Sequence, residues 1–325
     1  MKFGIIKERK NPPDRRVVFS PNEIKTIQEQ FPVVSFKVEP SDIRIFSDAE
    51  YQNLGIEVTD DLSDCVVLFG VKEVPVEALI PNKKYFFFSH TIKKQPYNQK
   101  LLQAVLEKNI ELYDHETIVD AANKRLIGFG RYAGIVGAYN AIRAFGIKFE
   151  LFKMPKASAL KGRDALVQQV KRQIIPPIKI VVTGTGKVGS GVKEMLLAMK
   201  IKEVSVENFL TKKFTQPVFT QIDVLEYNKR MDGQKFDTKD FYKNPSEYES
   251  DFERFTKVAD IYISGHFHAN AAPQILSQKM LQASDCAIKI VADVSCDVNG
   301  PIACTLRAST IDHPLHGYLP SEIKE

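Results

Sequence analysis

IKIVVTGTGKVGSGVKEMLLAMKI, residues 178–201, is the stretch on which the fold turns. A β-rich run, Ile178–Val182, meets Gly184-x-Gly186-x-x-Gly189, and a helical segment, Val192–Met199, follows. Strand, glycine turn and helix are the parts a dinucleotide site needs, in the order it needs them. Gly184 can make the tight turn, Gly186 lets the backbone approach a pyrophosphate, and Gly189 allows helix to pack on strand. The helix N-terminus then offers unpaired N–H groups and positive dipole to the phosphates. Thr185, Lys187 and Val188 complete the candidate loop. A carboxylate for the adenine ribose is expected about 20 residues on, at the end of the second strand. Glu203 and Glu207 in KEVSVENF are the candidates, and Glu207 fits the strand end better. No arginine follows that strand, which favours NAD over NADP, although Lys212 and Lys213 lie near.

Working outward, the chain alternates strand and helix. KFGIIKE reads as a strand, and SPNEIKTIQEQF as a helix with Ser20 as N-cap, Pro21 first and Glu23 completing a capping box. VVSFKVEP, CVVLFG, KYFFFSH and IELYDHE read as strands, with helices over SDAEYQNLG and QPYNQKLLQAVLEKN. GRYAGIVGAYNAIRAFGIKFEL is a helix whose Ala133, Gly134, Gly137 and Ala138 allow another backbone to approach closely; residues 160–174 form one more. This alternation indicates βαβ units. The expected fold is α/β, two Rossmann-like domains, each a mostly parallel sheet with flanking helices. The boundaries expected are 1–135, 136–310 with a polar insertion at 215–255, and a segment 311–325 returning to the first domain. ADIYISGHFH and AIKIVADVSCD resume the strand pattern after the insertion, so Gly265, His266, Asp293 and Asp297 fall at strand carboxyl ends, where ligands of open α/β sheets bind. His266 and His268 have no cysteine or third ligand beside them, so no metal site is inferred.

Composition agrees with an ordinary globular protein, 44% hydrophobic and 26% charged. The net charge of +5 comes from 45 basic and 40 acidic residues interspersed along the chain, which gives no reason to invoke nucleic acid or a membrane surface. No stretch approaches the roughly 20 uninterrupted apolar residues of a membrane span. The opening residues lack a signal peptide's apolar core, and four cysteines without a Cys-x-x-Cys pair suit a reduced, cytoplasmic protein. Oligomeric state is not legible.

Two residues carry chemistry in the first half. Lys72 follows the apolar run Cys65–Gly70, and His90 follows Tyr85–Phe88. A lysine and a histidine thus sit just past the carboxyl ends of two consecutive strands. A lysine there is ordinarily a solvated cap and a histidine a satisfied core residue; the pairing is what points to acid–base work.

ERKNPPDRRVVFSP, GVKEVP, FFFSHT, LYDHETI with IGFGRYAGIVGA, the glycine-rich turn and IVADVSCD, in this order, resemble the alanine dehydrogenase and lysine-forming saccharopine dehydrogenase family. YDHE…FGRYAG resembles the saccharopine branch more closely. The resemblance implies two Rossmann-like domains with a cleft between them and NAD as cofactor. It implies an amino acid or 2-oxo acid as substrate. It makes Lys72 and His90 the catalytic pair, Arg16 the binder of a substrate carboxylate, and Glu73 and Glu116 acidic residues that tune the pair. Asp297 matches a nicotinamide-side aspartate of the alanine branch. The family runs several tens of residues beyond the point matched by Glu325, so a fragment or a shorter variant is expected.

Two hypotheses follow. One is an NAD-dependent amino-acid dehydrogenase of opine type, saccharopine first and alanine second. The other is a non-catalytic dinucleotide-binding protein like the soluble part of transhydrogenase. Lys72, His90 and Arg16 favour the enzyme, because a binding module has no use for them.

Overall fold

The computed structural model describes residues 1–325 apart from 12, 267 and 269–271. The chain divides into two compact units, Met1–Gly128 and Phe129–Glu325.

The first unit holds β1 (Lys2–Ile5), α1 (Pro21–Gln30), β2 (Ser35–Val38), α2 (Asp48–Gln52), β3 (Glu57–Val58), β4 (Val67–Phe69), β5 (Lys84–Phe87), α3 (Gln99–Glu107) and β6 (Glu111–Asp114). Its six strands are all parallel, in the order β3-β2-β1-β4-β5-β6. The capping box forms as the sequence predicts: Ser20 N–H donates to Glu23 Oε2 at 2.6 Å, and Glu23 N–H donates to Ser20 Oγ at 3.3 Å. Ile5, Ile24, Val38 and Tyr51 fill one core, and Leu68, Tyr85, Phe87, Leu101 and Val105 another. The strand order matters most. From β1 the chain moves outward to β3, then returns to β4 on the other side of β1. That reversal is the switch point where open parallel sheets bind ligands, so residues following β1 and β4 share one crevice-forming edge.

The second unit begins with α4 (Gly130–Lys148) and α5 (Gly162–Lys171), followed by β7 (Lys179–Thr183), α6 (Lys187–Ala198), β8 (Lys202–Glu203), α7 (Val206–Thr211), β9 (Val218–Ile222), α8 (Val224–Tyr227), β10 (Asn228–Arg230), β11 (Tyr248–Ser250), β12 (Ile261–Ser264) and β13 (Ile290–Asp293). Its main sheet is parallel, in the order β13-β12-β7-β9-β8, while β10 and β11 form an antiparallel pair. Alternation along the strands divides two cores. Ile180, Val182, Ile261 and Ile263 face one cluster with residues of α4 and α6; Val181 and Tyr262 face the other.

The small residues of α4 have a direct cause. A Cβ on Gly134 would lie 2.0 Å from the Val188 carbonyl oxygen, and one on Gly191 would lie 2.0 Å from that of Arg131. The α4 and α6 backbones touch, so α4 belongs with the second unit and the chain passes between units at Gly128–Phe129. The closing segment also bonds within the second unit, through Gln278 Nε2–H to the Pro320 carbonyl at 2.7 Å and Arg307 to Glu325.

The stretch 215–255 is not a plain insertion. Its first part is β9, next to β7 in the middle of the sheet, and Gly184 N–H donates to the Ile222 carbonyl at 2.9 Å. The added material is the segment around β10 and β11, tied by Arg230 to Asp232, Asp240 and Glu247. Among the described residues no helix is long and apolar enough to cross a membrane.

Candidate active site

In the first unit the candidate residues follow the carboxyl ends of four parallel strands. Glu8, beyond β1, accepts the Val71 N–H at 2.7 Å on Oε1 and the Lys72 N–H at 2.9 Å on Oε2. One carboxylate thus clasps the loop that carries Lys72. Burial pushes the Glu8 carboxyl above its usual range, further than those two amide bonds pull it down. The Lys72 ammonium makes no hydrogen bond or ion pair among the described residues.

Glu73 and His90 meet. Glu73 Oε1 lies 2.7 Å from His90 Nδ1, and Lys10 Nζ donates to Glu73 Oε2 at 2.9 Å. Burial pushes the Glu73 carboxyl up, but the bonds from Lys10 and His90 outweigh it and hold the carboxyl below its usual range. An ionised Glu73 accepts Nδ1–H, which leaves the His90 Nε2 lone pair open to take a proton. His90 has φ 55°, a left-handed conformation that costs a non-glycine residue energy and is commonest at functional loops. Asp114, at the end of β6, holds it there. Asp114 Oδ2 accepts the His90 N–H at 3.1 Å and the Ser89 hydroxyl at 2.5 Å, while Oδ1 accepts the Glu116 N–H at 2.8 Å.

Glu116 is paired through Oε1 with Arg125 at 3.2 Å and Lys93 at 3.7 Å; its Oε2 is buried with no partner among the described residues. His115 is buried against Phe88 and hydrogen-bonded through Nε2 to the Gly70 carbonyl, and burial pushes its pKa down. Arg16 spends its fork on a neighbour: Nε donates to Asp14 Oδ1 at 2.9 Å and Nη2 to Oδ2 at 2.5 Å. Burial alone would push Asp14 up, but the Arg16 bonds hold it below the usual carboxylate range.

In the second unit the glycines do what their spacing predicts. Gly184 has φ +91°, and a Cβ there would lie 2.6 Å from the Gly265 carbonyl oxygen. A Cβ on Gly189 would sit 1.9 Å from the Gly184 carbonyl oxygen. Gly186 caps α6 and a Cβ there would meet nothing within 4 Å, so an open space adjoins the helix N-terminus. A pyrophosphate fits that arrangement: open room at the one glycine, compact backbone at the other two, helix dipole behind. Thr185 and Lys187 lie exposed on the turn, whereas Val188 packs against α4 near Gly130. Gly265 closes on the turn, its Cβ position 3.0 Å from Gly189 Cα.

One candidate is displaced. The strand expected to end at Glu207 is β8, which stops at Glu203 at the outer edge of the sheet, and Glu207 lies exposed in the first turn of α7. The strand beside β7 is β9, and the carboxylate that follows it is Asp223, exposed and accepting the Val224 N–H at 2.7 Å. Asp297 is exposed beyond β13, near enough to His268 to pull that histidine upward against a larger downward push from burial. Asp293 is saturated by bonds from Ser264, Ser295 and Thr305, a structural role. Glu8, Asp114 and Asp223 were missed. Glu8 and Asp114 act on backbone groups distant in sequence, which no local pattern marks. Asp223 could have been found by asking which strand neighbours the glycine turn.

Residues 4–136 match the family described as alanine dehydrogenase/PNT, N-terminal domain. The alpha-aminoadipic semialdehyde synthase of Arabidopsis thaliana is 30% identical over 362 aligned positions, covering 98% of this chain and 34% of that protein. The chain therefore spans about a third of the length of that relative. The saccharopine dehydrogenase [NAD(+), L-lysine-forming] of Yarrowia lipolytica is 23% identical over 301 positions, covering 85% of this chain and 71% of that protein. A solved L-alanine dehydrogenase has the same fold, with TM-score 0.56 at 17% identity over 98% of this chain and 80% of that chain.

Proposed function

The chain belongs to the alanine dehydrogenase and saccharopine dehydrogenase family, and on that premise we propose that it is an NAD-dependent oxidoreductase acting on the C–N bond of a carboxylate-bearing amino acid. An opine such as saccharopine is the preferred substrate class. The observation that carries this reading is the Glu73–His90 pair beside Lys72 at the switch-point edge, an acid–base group that a pure binding module would not need.

The roles follow from chemistry. Lys72 takes the proton from the substrate amine as the carbon loses hydride. The dinucleotide, when bound at Gly184–Gly189, supplies the hydride acceptor. His90, with Nδ1–H given to Glu73, takes a proton through Nε2 from the water that adds to the resulting imine. The same groups return protons as the carbinolamine splits into carbonyl and amine.

Arg16 bears on the substrate. A carboxylate removed from water needs a paired cation, and the arginine fork can meet it with two parallel bonds in exchange for Asp14. Arg16→Lys should weaken substrate binding about 10- to 100-fold, the worth of one charge-assisted hydrogen bond at roughly 1.5–3 kcal/mol. Arg15, whose Nε–H is given to the Ile43 carbonyl at 3.3 Å, is the control. Equal losses in KM from Arg15→Lys and Arg16→Lys would mean a diffuse charge effect and remove the clamp.

Asp223 bears on the cofactor. A carboxylate following the strand next to the glycine turn can accept the adenine-ribose hydroxyls, and it repels a 2′-phosphate. Asp223→Ala should cost NADH at least tenfold in affinity and narrow the preference over NADPH, whereas Glu207→Ala should cost nothing, as read by fluorescence titration. The reverse outcome would return the role to Glu207.

A further inference from the structure

His266 lies just past the carboxyl end of β12 with 8% of its surface exposed. Its Cα would be 2.6 Å from a Cβ built on Gly184, so it is packed directly against the glycine-rich turn. Its Nδ1 lies 2.7 Å from Thr183 Oγ1, and Thr183 Oγ1 lies 3.1 Å from the Tyr262 hydroxyl. Its other ring nitrogen, Nε2, is buried with no partner among the described residues.

This short chain of bonds sets the tautomer. Tyr262 is fully buried, and Thr183 Oγ1 is the one acceptor its hydroxyl reaches among the described residues. The phenol therefore donates to Thr183, and the Thr183 hydrogen is left for His266 Nδ1. A neutral imidazole that accepts at Nδ1 carries its proton on Nε2. Burial keeps the ring neutral, pushing its pKa down to about 4. The groups that face it are Tyr227 of α8, Thr183 and Tyr262 of the sheet, His268 beyond β12 and Asp293 of β13. Asp293 pulls the pKa up and His268 pushes it down, both less than burial does.

A buried N–H without an acceptor costs about as much as a lost hydrogen bond, and native proteins keep few of them. One that adjoins a phosphate-binding turn has an evident use. We propose that His266 presents a neutral Nε2–H donor beside the glycine-rich turn and gives it to an acceptor oxygen of the dinucleotide bound there. The proposal rests on the dinucleotide reading above and adds a contact that the glycine pattern does not supply. It gives Thr183 and Tyr262 a part too: they hold the ring in the donating tautomer.

The test measures binding and the ring itself. His266→Phe keeps a ring and removes the donor, and should weaken NADH about tenfold. His266→Gln, whose amide can restore an N–H, should recover part of the loss, and Thr183→Val should lose several-fold by freeing the tautomer. ADP-ribose is titrated alongside. A loss shared by both ligands assigns the oxygen to the pyrophosphate and its riboses; a loss confined to NADH assigns it to the nicotinamide carboxamide; either supports the proposal. Nitrogen-15 NMR of the ligand-free protein should show Nε2 protonated and Nδ1 bare from about pH 5 to 8, a range in which an ordinary histidine titrates. His266→Phe binding both ligands as tightly as wild type, or a ring protonated at Nδ1, overturns the proposal. If Gly186→Val also binds NADH normally, the dinucleotide reading itself has failed, and the two failures are told apart.

Discussion

Lys72→Met should lower the chemical step by about 10²–10⁴-fold, the usual contribution of a general acid or base, and leave NADH affinity nearly unchanged. The substitution is a clean probe because of how the lysine is held. Its backbone N–H belongs to Glu8, and that bond survives any side chain. Its ammonium has no ion pair among the described residues, so methionine keeps the stem and breaks no fold contact seen here. The glycine turn, Asp223 and His266 all belong to the second unit, so the cofactor has no reason to register the change. Turnover at the wild-type rate on the true substrate, in single-turnover measurements, would reduce Lys72 to a surface cap.

Gly186→Val should abolish NADH binding without disturbing the fold. The three glycines differ in what a side chain would meet. At Gly184 the left-handed φ and the Gly265 carbonyl both forbid one, and at Gly189 the Gly184 carbonyl does. Valine at either position would strain the sheet, and lost binding would say little. Gly186 has φ −74° and ψ −166°, extended backbone open to any residue, and its Cβ would enter space that holds no protein atom within 4 Å. Only a ligand occupying that space would meet the valine. Circular dichroism and thermal unfolding should match wild type while the fluorescence titration shows no saturable binding. Normal NADH binding by a folded Gly186→Val would remove this turn from the site.

Local rules made much of this legible in the sequence. A capping box needs Ser20 and Glu23 three residues apart, and a glycine turn needs Gly184, Gly186 and Gly189 within six positions. Lys72 and His90 could be placed at a sheet edge because each follows a short apolar run, and the parallel sheet puts those run ends on one side. Long-range facts were not legible. The polar run around 215–255 looks like an insertion because Thr220 and Gln221 interrupt the apolar pattern. Yet Val218–Ile222 pairs with β7 from end to end. Which strand neighbours which depends on crossovers that leave no local mark, and that hid Asp223 behind Glu207. Glu8 and Asp114 were hidden for a related reason. Their partners are backbone N–H groups, which every residue has, so composition cannot single them out. The carboxylate already seated on Arg16 belongs to Asp14, two residues away, and only side-chain geometry reveals it.

The most direct test of the dehydrogenase reading follows nicotinamide absorbance as purified protein meets NADH with lysine plus 2-oxoglutarate or ammonia plus pyruvate, and NAD with saccharopine or alanine. NADH consumption that requires an amine and a 2-oxo acid together, or NAD reduction by saccharopine or alanine, is the predicted result, with the lysine and saccharopine reactions fastest. Tight NADH binding with no turnover of any carboxylate-bearing amine or oxo acid would contradict it.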